Sequence, residues 1–485
     1  MDLQKVLHEV GEVLQAPGAG QEDLANCETA LERVLEQERE NVGVWFMIAT
    51  TYMRQRRWSL AERWLSMVIK SEPHMVEALN NYAFTLEHLG EHEIARRFFK
   101  RAHKLRPDDP ALINNLATGY INNGTPEKAL AAADKAIALQ PDFNDAHWNR
   151  GLALLEMGQW REGWDEHAWG LKLDAVSSQQ RKVRHYIEKD QHPWWDGTPN
   201  QRVVVYSEQG VGDEILAASM LSDASRDVDI IFESQPRLVN IMRHSFPGIP
   251  VYGTRKHKWK DLKFPNWSKI DAKCAIFELG KVYRNEDSAF PREAYLKAFP
   301  ELVAEFDARL KDVERPRIGI AWQGGSPTTR IDLRTIPLMQ WLPILRNVDA
   351  EFISLQYDHA GHPGFWQTVV DDFNKDMSVN VRHWGDDVND LDMCYGGLIH
   401  SLDLVISVNT SLVHACGAFG VNCWTLTPSK PAWRYGVKGE HMAWYGDWVR
   451  QIRQKGSDWG PVMQRVEREL QEWVEDADNR RVRAA

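Results

Sequence analysis

The chain has 485 residues, room for about three folding units at roughly 150 residues each. Hydrophobic residues make up 43% and charged residues 26%, an ordinary globular mixture that excludes wholesale disorder. The formal net charge of −11 speaks against a nucleic-acid partner, while net charge by itself says little about any single cleft.

The five cysteines, Cys27, Cys274, Cys394, Cys416 and Cys423, are odd in number and lack a CxxC spacing. This argues against a disulfide scaffold or a structural zinc site, and a reducing cytoplasm is the expected location. No cluster of His, Asp and Glu has metal-ligand spacing, so no metal or other cofactor is expected. Residues 1–15 alternate charged and apolar side chains and lack the basic start and apolar run of a signal peptide. No apolar run approaches 18 residues, so no membrane span is expected.

Taken in chain order, the first element is a repeat. Pro73, Pro107 and Pro141 are spaced by 34 residues, and on that period Ala49, Ala83 and Ala117 form one column. Ala61, Ala95 and Ala129 form a second, Leu65, Phe99 and Ala133 a third, and Val68, Ala102 and Ala136 a fourth. Small residues let paired helices approach, larger apolar ones fill the space between pairs, and proline ends the second helix. Each repeat therefore reads as a helical hairpin. The pattern resembles the tetratricopeptide repeat family, with three strong copies over about residues 42–142. A weaker copy precedes them at Cys27, Leu31 and Val34, and a degenerate one follows, with Gly151 and Gly163 in the alanine columns. A helical-repeat domain over 1–174 is expected, presenting a concave face to a peptide or protein. Asn80, Asn81, Asn114, Asn115 and Asn149 recur near the starts of first helices, either to bind an extended peptide backbone or as solvated helix-start residues.

From residue 158 to 195 the chain turns rich in tryptophan (Trp160, Trp164, Trp169, Trp194, Trp195), read as a capping helix and then a linker over 175–200. The tryptophans read mainly as packing residues, with sugar stacking the alternative.

After Asn200 strands alternate with helices. Residues 203–206 form a β-branched run typical of a buried parallel strand, followed by the turn Gln209-Gly210-Val211-Gly212-Asp213 and a helix over 214–224. A second strand covers 228–232. Another set has strands at 318–322, 351–355, 380–383, 404–408 and 423–426. Two α/β units are expected, 201–305 and 306–485, with a hinge near 299–316 and a final helix over 460–477 bracing both. The fold class is thus an α-solenoid followed by two Rossmann-like α/β domains, with a ligand cleft at the strands' carboxyl ends.

Three groups of residues are chemically suggestive. Asp213 sits where a glycine turn meets a helix start, where an aspartate most commonly serves as a cap, and where an ionised carboxylate able to accept a proton is also favoured. At Ser407–His414 a buried strand ends in Asn409, Thr410 and Ser411 before a helix, an arrangement suited to a diphosphate or to ordinary N-capping. Arg434 follows a strand beside aromatic residues and suits a phosphate fork, and Arg330 and Arg334 follow Trp322-Gln323-Gly324-Gly325. His414 reads as a satisfied helix histidine.

The ordered strings from Tyr206 to Ile215, Ile318 to Gly324, Arg334 to Leu338, Phe352 to Gln356, Leu402 to Ser411 and Trp433-Arg434 resemble the bacterial heptosyltransferase-like glycosyltransferases that carry N-terminal tetratricopeptide repeats. The resemblance covers about residues 200–475. It implies a GT-B architecture in which 201–305 takes the acceptor and 306–485 a nucleotide sugar as co-substrate. It makes Asp213 the general base and puts Gln209 and Gly212 on the acceptor side. Thr410 and Ser411 fall at the donor phosphates, with Asn409, Arg330 and Arg434 around them, and Gln356 falls at the nucleoside. The implied activity is inverting, metal-independent transfer of a sugar to a protein or glycan acceptor recruited by the repeats. Two departures stand out: Asn409 replaces the aspartate common in that family, and the loop after Trp322 is less basic. They motivate an alternative, a noncatalytic adaptor with a degenerate transferase fold that binds a partner or glycan.

Overall fold

The computed structural model describes residues 3–16, 18–173, 191–253, 269–325, 330–358 and 362–476. The expected linker residues 175–190, loop residues 326–329 and the end of the final helix at 477 lie outside the described residues. The chain divides into two compact units, Met1–Met157 with Glu166–Gln180, and Gly158–Asp165 with Arg181–Ala485.

The first unit is a series of helical hairpins: α1 (Leu3–Gln15), α2 (Gln21–Gln37), α3 (Val42–Arg54), α4 (Trp58–Ser71), α5 (Val76–His88), α6 (His92–Leu105), α7 (Pro110–Asn122), α8 (Pro126–Leu139) and α9 (Asn144–Glu156). The 34-residue columns are its core, and all three alanine pairs are fully buried along with Leu65, Val68 and Ala133. Pro73, Pro107 and Pro141 each stand two residues beyond the end of α4, α6 or α8, where a missing N–H costs nothing. The carbonyls of two of these prolines tie neighbouring repeats together. Arg101 donates to Pro73 O at 2.5 Å, and Lys135, one period later, donates to Pro107 O at 2.9 Å. Gly151 has no room for a side chain, since a Cβ there would lie 2.6 Å from the backbone nitrogen of His167.

Four of the five asparagines, Asn80, Asn114, Asn115 and Asn149, bond to one another. Asn115 donates to Asn80 at 2.7 Å and Asn149 donates to Asn114 at 2.8 Å. They form a ladder from first helix to first helix, and Asn114 and Asn149 are buried. A buried amide must find a partner, and here it is the asparagine 35 residues away, one position past the equivalent residue of the neighbouring repeat.

In the second unit, among the described residues, β1 (Arg202–Tyr206), β2 (Asp229–Ser234), β3 (Val251–Gly253) and β4 (Ala272–Ala275) form a parallel sheet in the order β3-β2-β1-β4. The strands β5 (Arg317–Ala321), β6 (Glu351–Ser354), β7 (Val381–His383), β8 (Leu404–Val408), β9 (Cys423–Thr427) and β10 (Val449–Arg453) form a second, in the order β10-β9-β8-β5-β6-β7. Chain order reverses between β1 and β4 in the first sheet and between β5 and β8 in the second. Loops leaving adjacent strands there turn away from one another and open a crevice at the carboxyl ends.

Four expectations change. Helix α10 (Trp160–His167) is divided, and its residues 160–165 belong to the α/β unit rather than capping the repeats. There the Trp164 indole is buried, donates to Arg284 O at 2.8 Å and lies against Gly280. The linker's last residues extend the first sheet, with Trp195 N donating to Lys273 O at 2.8 Å. The 299–316 hinge contains the helix Pro300–Arg309, whose Phe306 is fully buried, and Phe299 packs against Gly396. The final helix, Gly460–Glu475, buries Val466 and Leu470 in a core made with Ile452 of β10 and with Ile344 and Trp366 of the helices Leu342–Asn347 and Phe365–Met377 that flank the second sheet. Its apolar stripe matches that one layer, and among the described residues the core it joins is that of the second sheet.

Candidate functional site

The site is built where the two switch points meet. β1 ends at Tyr206, Gln209 takes a left-handed conformation (φ 62°), and the helix Val211–Ala218 begins. Asp213, on its first turn, accepts a hydrogen bond from Gly210 N at 3.2 Å, the self-capping geometry of a helix start. Gly212 is pressed against the other sheet's helix: a Cβ there would stand 2.9 Å from Cδ2 of His414 and 3.1 Å from Cα of Ser411. Only glycine lets the two helix starts come so close.

On the opposite side β8 ends at Val408, and Thr410 caps the helix Ser411–Phe419 by accepting from Leu412 N at 3.1 Å. Ser411 Oγ pairs with Tyr395 Oη at 2.7 Å. Gly324, in the loop after β5, lies over the Thr410 methyl and the Asn409 carbonyl. Arg334 donates to that same carbonyl at 3.2 Å. Asn409 is 2% exposed. Its Oδ1 accepts from Thr425 at 2.8 Å and Thr427 at 3.3 Å, while its buried Nδ2 has no partner among the described residues.

Arg434, in the turn Trp433–Tyr435, donates to the Asp213 carboxylate. The two side chains are only 14% and 16% exposed. Burial lowers the pKa of both Arg434 and Arg334 from the ordinary guanidinium value, since a desolvated cation is disfavoured. Beneath them His414 is held between Tyr445 (Nδ1 to Oη, 3.0 Å) and Tyr435 (Nε2 to Oη, 3.2 Å). Burial pushes its pKa down to about 3, so the ring is neutral and serves as the satisfied helix histidine its position suggests.

Asp213, Gly212, Ser411 and Arg434 are therefore brought together, with Thr410 and Asn409 directly behind. Gln356 bonds the loop after β5. Its buried amide accepts from Trp322 N at 3.2 Å and Gln323 N at 2.9 Å and donates to Gln323 O at 3.0 Å, pinning the loop after β5. Arg330 stands in a left-handed conformation (φ 59°) beside loop residues 326–329, which lie outside the described residues. Tyr395 and Tyr445 were not legible in sequence: each lies in a different segment, with no motif around it. Among the described residues no group of three His, Cys, Asp or Glu side chains is placed to hold a metal ion.

These observations define a helical-repeat protein joined to a doubly wound α/β unit with a polar, cation-bearing crevice. The family model for the tetratricopeptide repeat matches residues 46–110 and 114–161, so the first unit contains tetratricopeptide repeats. Protein FlbA of Caulobacter vibrioides (strain ATCC 19089 / CIP 103742 / CB 15) is 25% identical over 508 aligned positions, spanning 93% of this chain and 82% of its own length. Among solved structures, MamA is similar at 23% identity and a TM-score of 0.29, over 31% of this chain and 89% of its own. MamA from Desulfovibrio magneticus RS-1 is similar at 15% identity and a TM-score of 0.30, over 36% and 93%.

Proposed function

We propose that the α/β unit is an inverting glycosyltransferase of GT-B architecture that uses a nucleotide sugar, and that the repeats recruit its protein or glycan acceptor. Tetratricopeptide repeats are protein-interaction modules, which supports a peptide or protein partner for the first unit. The observation that carries the reading is the meeting of the Asp213 carboxylate with Arg434 at the start of the Ser411–Phe419 helix. A leaving diphosphate needs fixed donors, and a helix N-terminus beside a guanidinium supplies them. In the reaction the acceptor hydroxyl oxygen attacks the anomeric carbon and its proton passes to the Asp213 carboxylate. The bond from that carbon to the phosphate oxygen breaks, and its electron pair leaves with the diphosphate. All five cysteines are buried thiols, in keeping with a reducing cytoplasm. No helix among the described residues is long and apolar enough to cross a membrane.

The test is release of nucleotide from a panel of nucleotide sugars by the full chain. Release lost in Asp213→Asn supports the reading, and no release from any donor contradicts it.

A specific observation favours the adaptor alternative: the Gln356 amide and Asn409 Oδ1 are both occupied by the protein itself. Calorimetry separates the two, because an adaptor binds no nucleotide at the Ser411 helix start.

A further inference from the structure

We propose that the Asp213–Arg434 ion pair is a latch that keeps the base occupied until a diphosphate draws the guanidinium away, so that the donor itself frees the carboxylate. The inference rests on the transferase reading and adds regulation of the same site.

Both carboxylate oxygens of Asp213 are engaged. One accepts from Gly210 N and the other from Arg434. In this arrangement each oxygen already accepts one hydrogen bond, and the oxygen paired with the guanidinium is the one a diphosphate would release. Arg434 is equally committed, yet its Nε is buried and has no partner among the described residues. The guanidinium is thus under-satisfied by one carboxylate. A diphosphate offers it more charge and the paired oxygens that suit a planar fork. Asn409 Nδ2, also buried and unpartnered, adds a donor behind the same helix start.

The exchange needs no rearrangement of the main chain. Trp433 packs edge-on against Trp164 and Phe277, with ring centroids 5.7 and 5.9 Å apart, and Tyr435 is bonded to His414. Both neighbours of Arg434 are anchored, so its side chain changes partner by a rotamer change. Once the cation has gone to phosphate, the Asp213 oxygen it held is released.

The experiment is calorimetric titration of the full chain with UDP, GDP, ADP, CDP and dTDP, comparing wild type with Asp213→Asn, Asp213→Ala and Arg434→Gln. Both Asp213 variants should bind the preferred nucleotide about tenfold more tightly, as expected when a competing ion pair of about 1.4 kcal/mol is removed. A purely capping Asp213 predicts the opposite, since a loosened helix start weakens the site. Thermal melts confirm that each variant is folded. In the Arg434→Gln background, Asp213→Asn should add nothing to residual binding. Tightening that persists there would arise from carboxylate repulsion and would overturn the latch. Unchanged or weaker binding by the Asp213 variants would overturn the latch while leaving the nucleotide site standing. Absence of binding by every protein to every nucleotide would overturn the site and the latch together.

Discussion

Gly212 and His414 touch across the crevice, in a contact so close that a methyl group on Gly212 would lie 2.9 Å from the imidazole Cδ2. One residue opens the helix after β1 and the other lies in the helix after β8, so this contact sets the spacing of the two switch points. The Asp213–Arg434 pair, one residue further along the first helix, depends on that spacing.

Gly212→Ala is expected to destabilise the protein by about 1–3 kcal/mol, the usual cost of overpacking a tight contact. The ring cannot retreat, because both of its nitrogens are bonded to tyrosines. Chemical denaturation of the full chain measures the loss.

His414 should make the protein acid-sensitive. Its folded pKa, about 3, lies below the ordinary 6.5, so the unfolded state takes up a proton that the native state refuses. Its contribution to stability is full above pH 6.5 and declines as pH falls toward 3, with a slope of about 1.4 kcal/mol per pH unit. An imidazole NMR signal that stays neutral at pH 5 is the expected result, and a ring titrating near 6.5 would refute the burial argument.

The asparagine ladder should couple the repeats. Asn114→Ala removes the acceptor of a buried amide and is expected to cost about 1–3 kcal/mol. A double-mutant cycle with Asn149→Ala should show that most of this is shared between the two residues.

Glu440 is held down to about 2, chiefly by hydrogen bonds from Arg450 and Arg465. Both arginines also meet Glu469, closing a ring of four charges. A depressed carboxylate stabilises above its ordinary 4.5, and that contribution fades as pH falls through 4.5 toward 2. Because the Glu440 side chain is 43% exposed, Glu440→Gln should cost under about 1 kcal/mol, and the difference should shrink in 1 M salt. Urea titrations at low and high salt check both points.

Trp164→Ala should unsettle the α/β unit rather than the repeats, at a cost of about 3–5 kcal/mol. Hydrogen exchange should rise around Phe277, Arg284 and Trp433, its neighbours. Exchange confined to α9 would contradict the assignment of 158–165 to the second unit.

The amino-acid sequence alone determined the repeat, because a 34-residue period brings the same small residues to the same helix–helix contacts in every copy. It also placed β1, β2, β5, β6, β7, β8 and β9, read as short segments between helical stretches, with β1 a β-branched run suited to a strand buried on both faces. It did not show β3, only three residues long, or β4 and β10, where Lys273, Arg450 and Arg453 interrupt the apolar pattern. The Asn80–Asn115 and Asn114–Asn149 bonds escaped it too, since an amide reads the same whether it faces solvent or a copy of itself. Only the tertiary structure decided that Gln356 holds a loop, that the final helix serves one sheet, and that Asp213 meets Arg434. Those two charges are 221 residues apart in the chain, and local pattern carries no information about which distant loops two sheets bring face to face. Their meeting is set by strand order and by the absence of a side chain at Gly212.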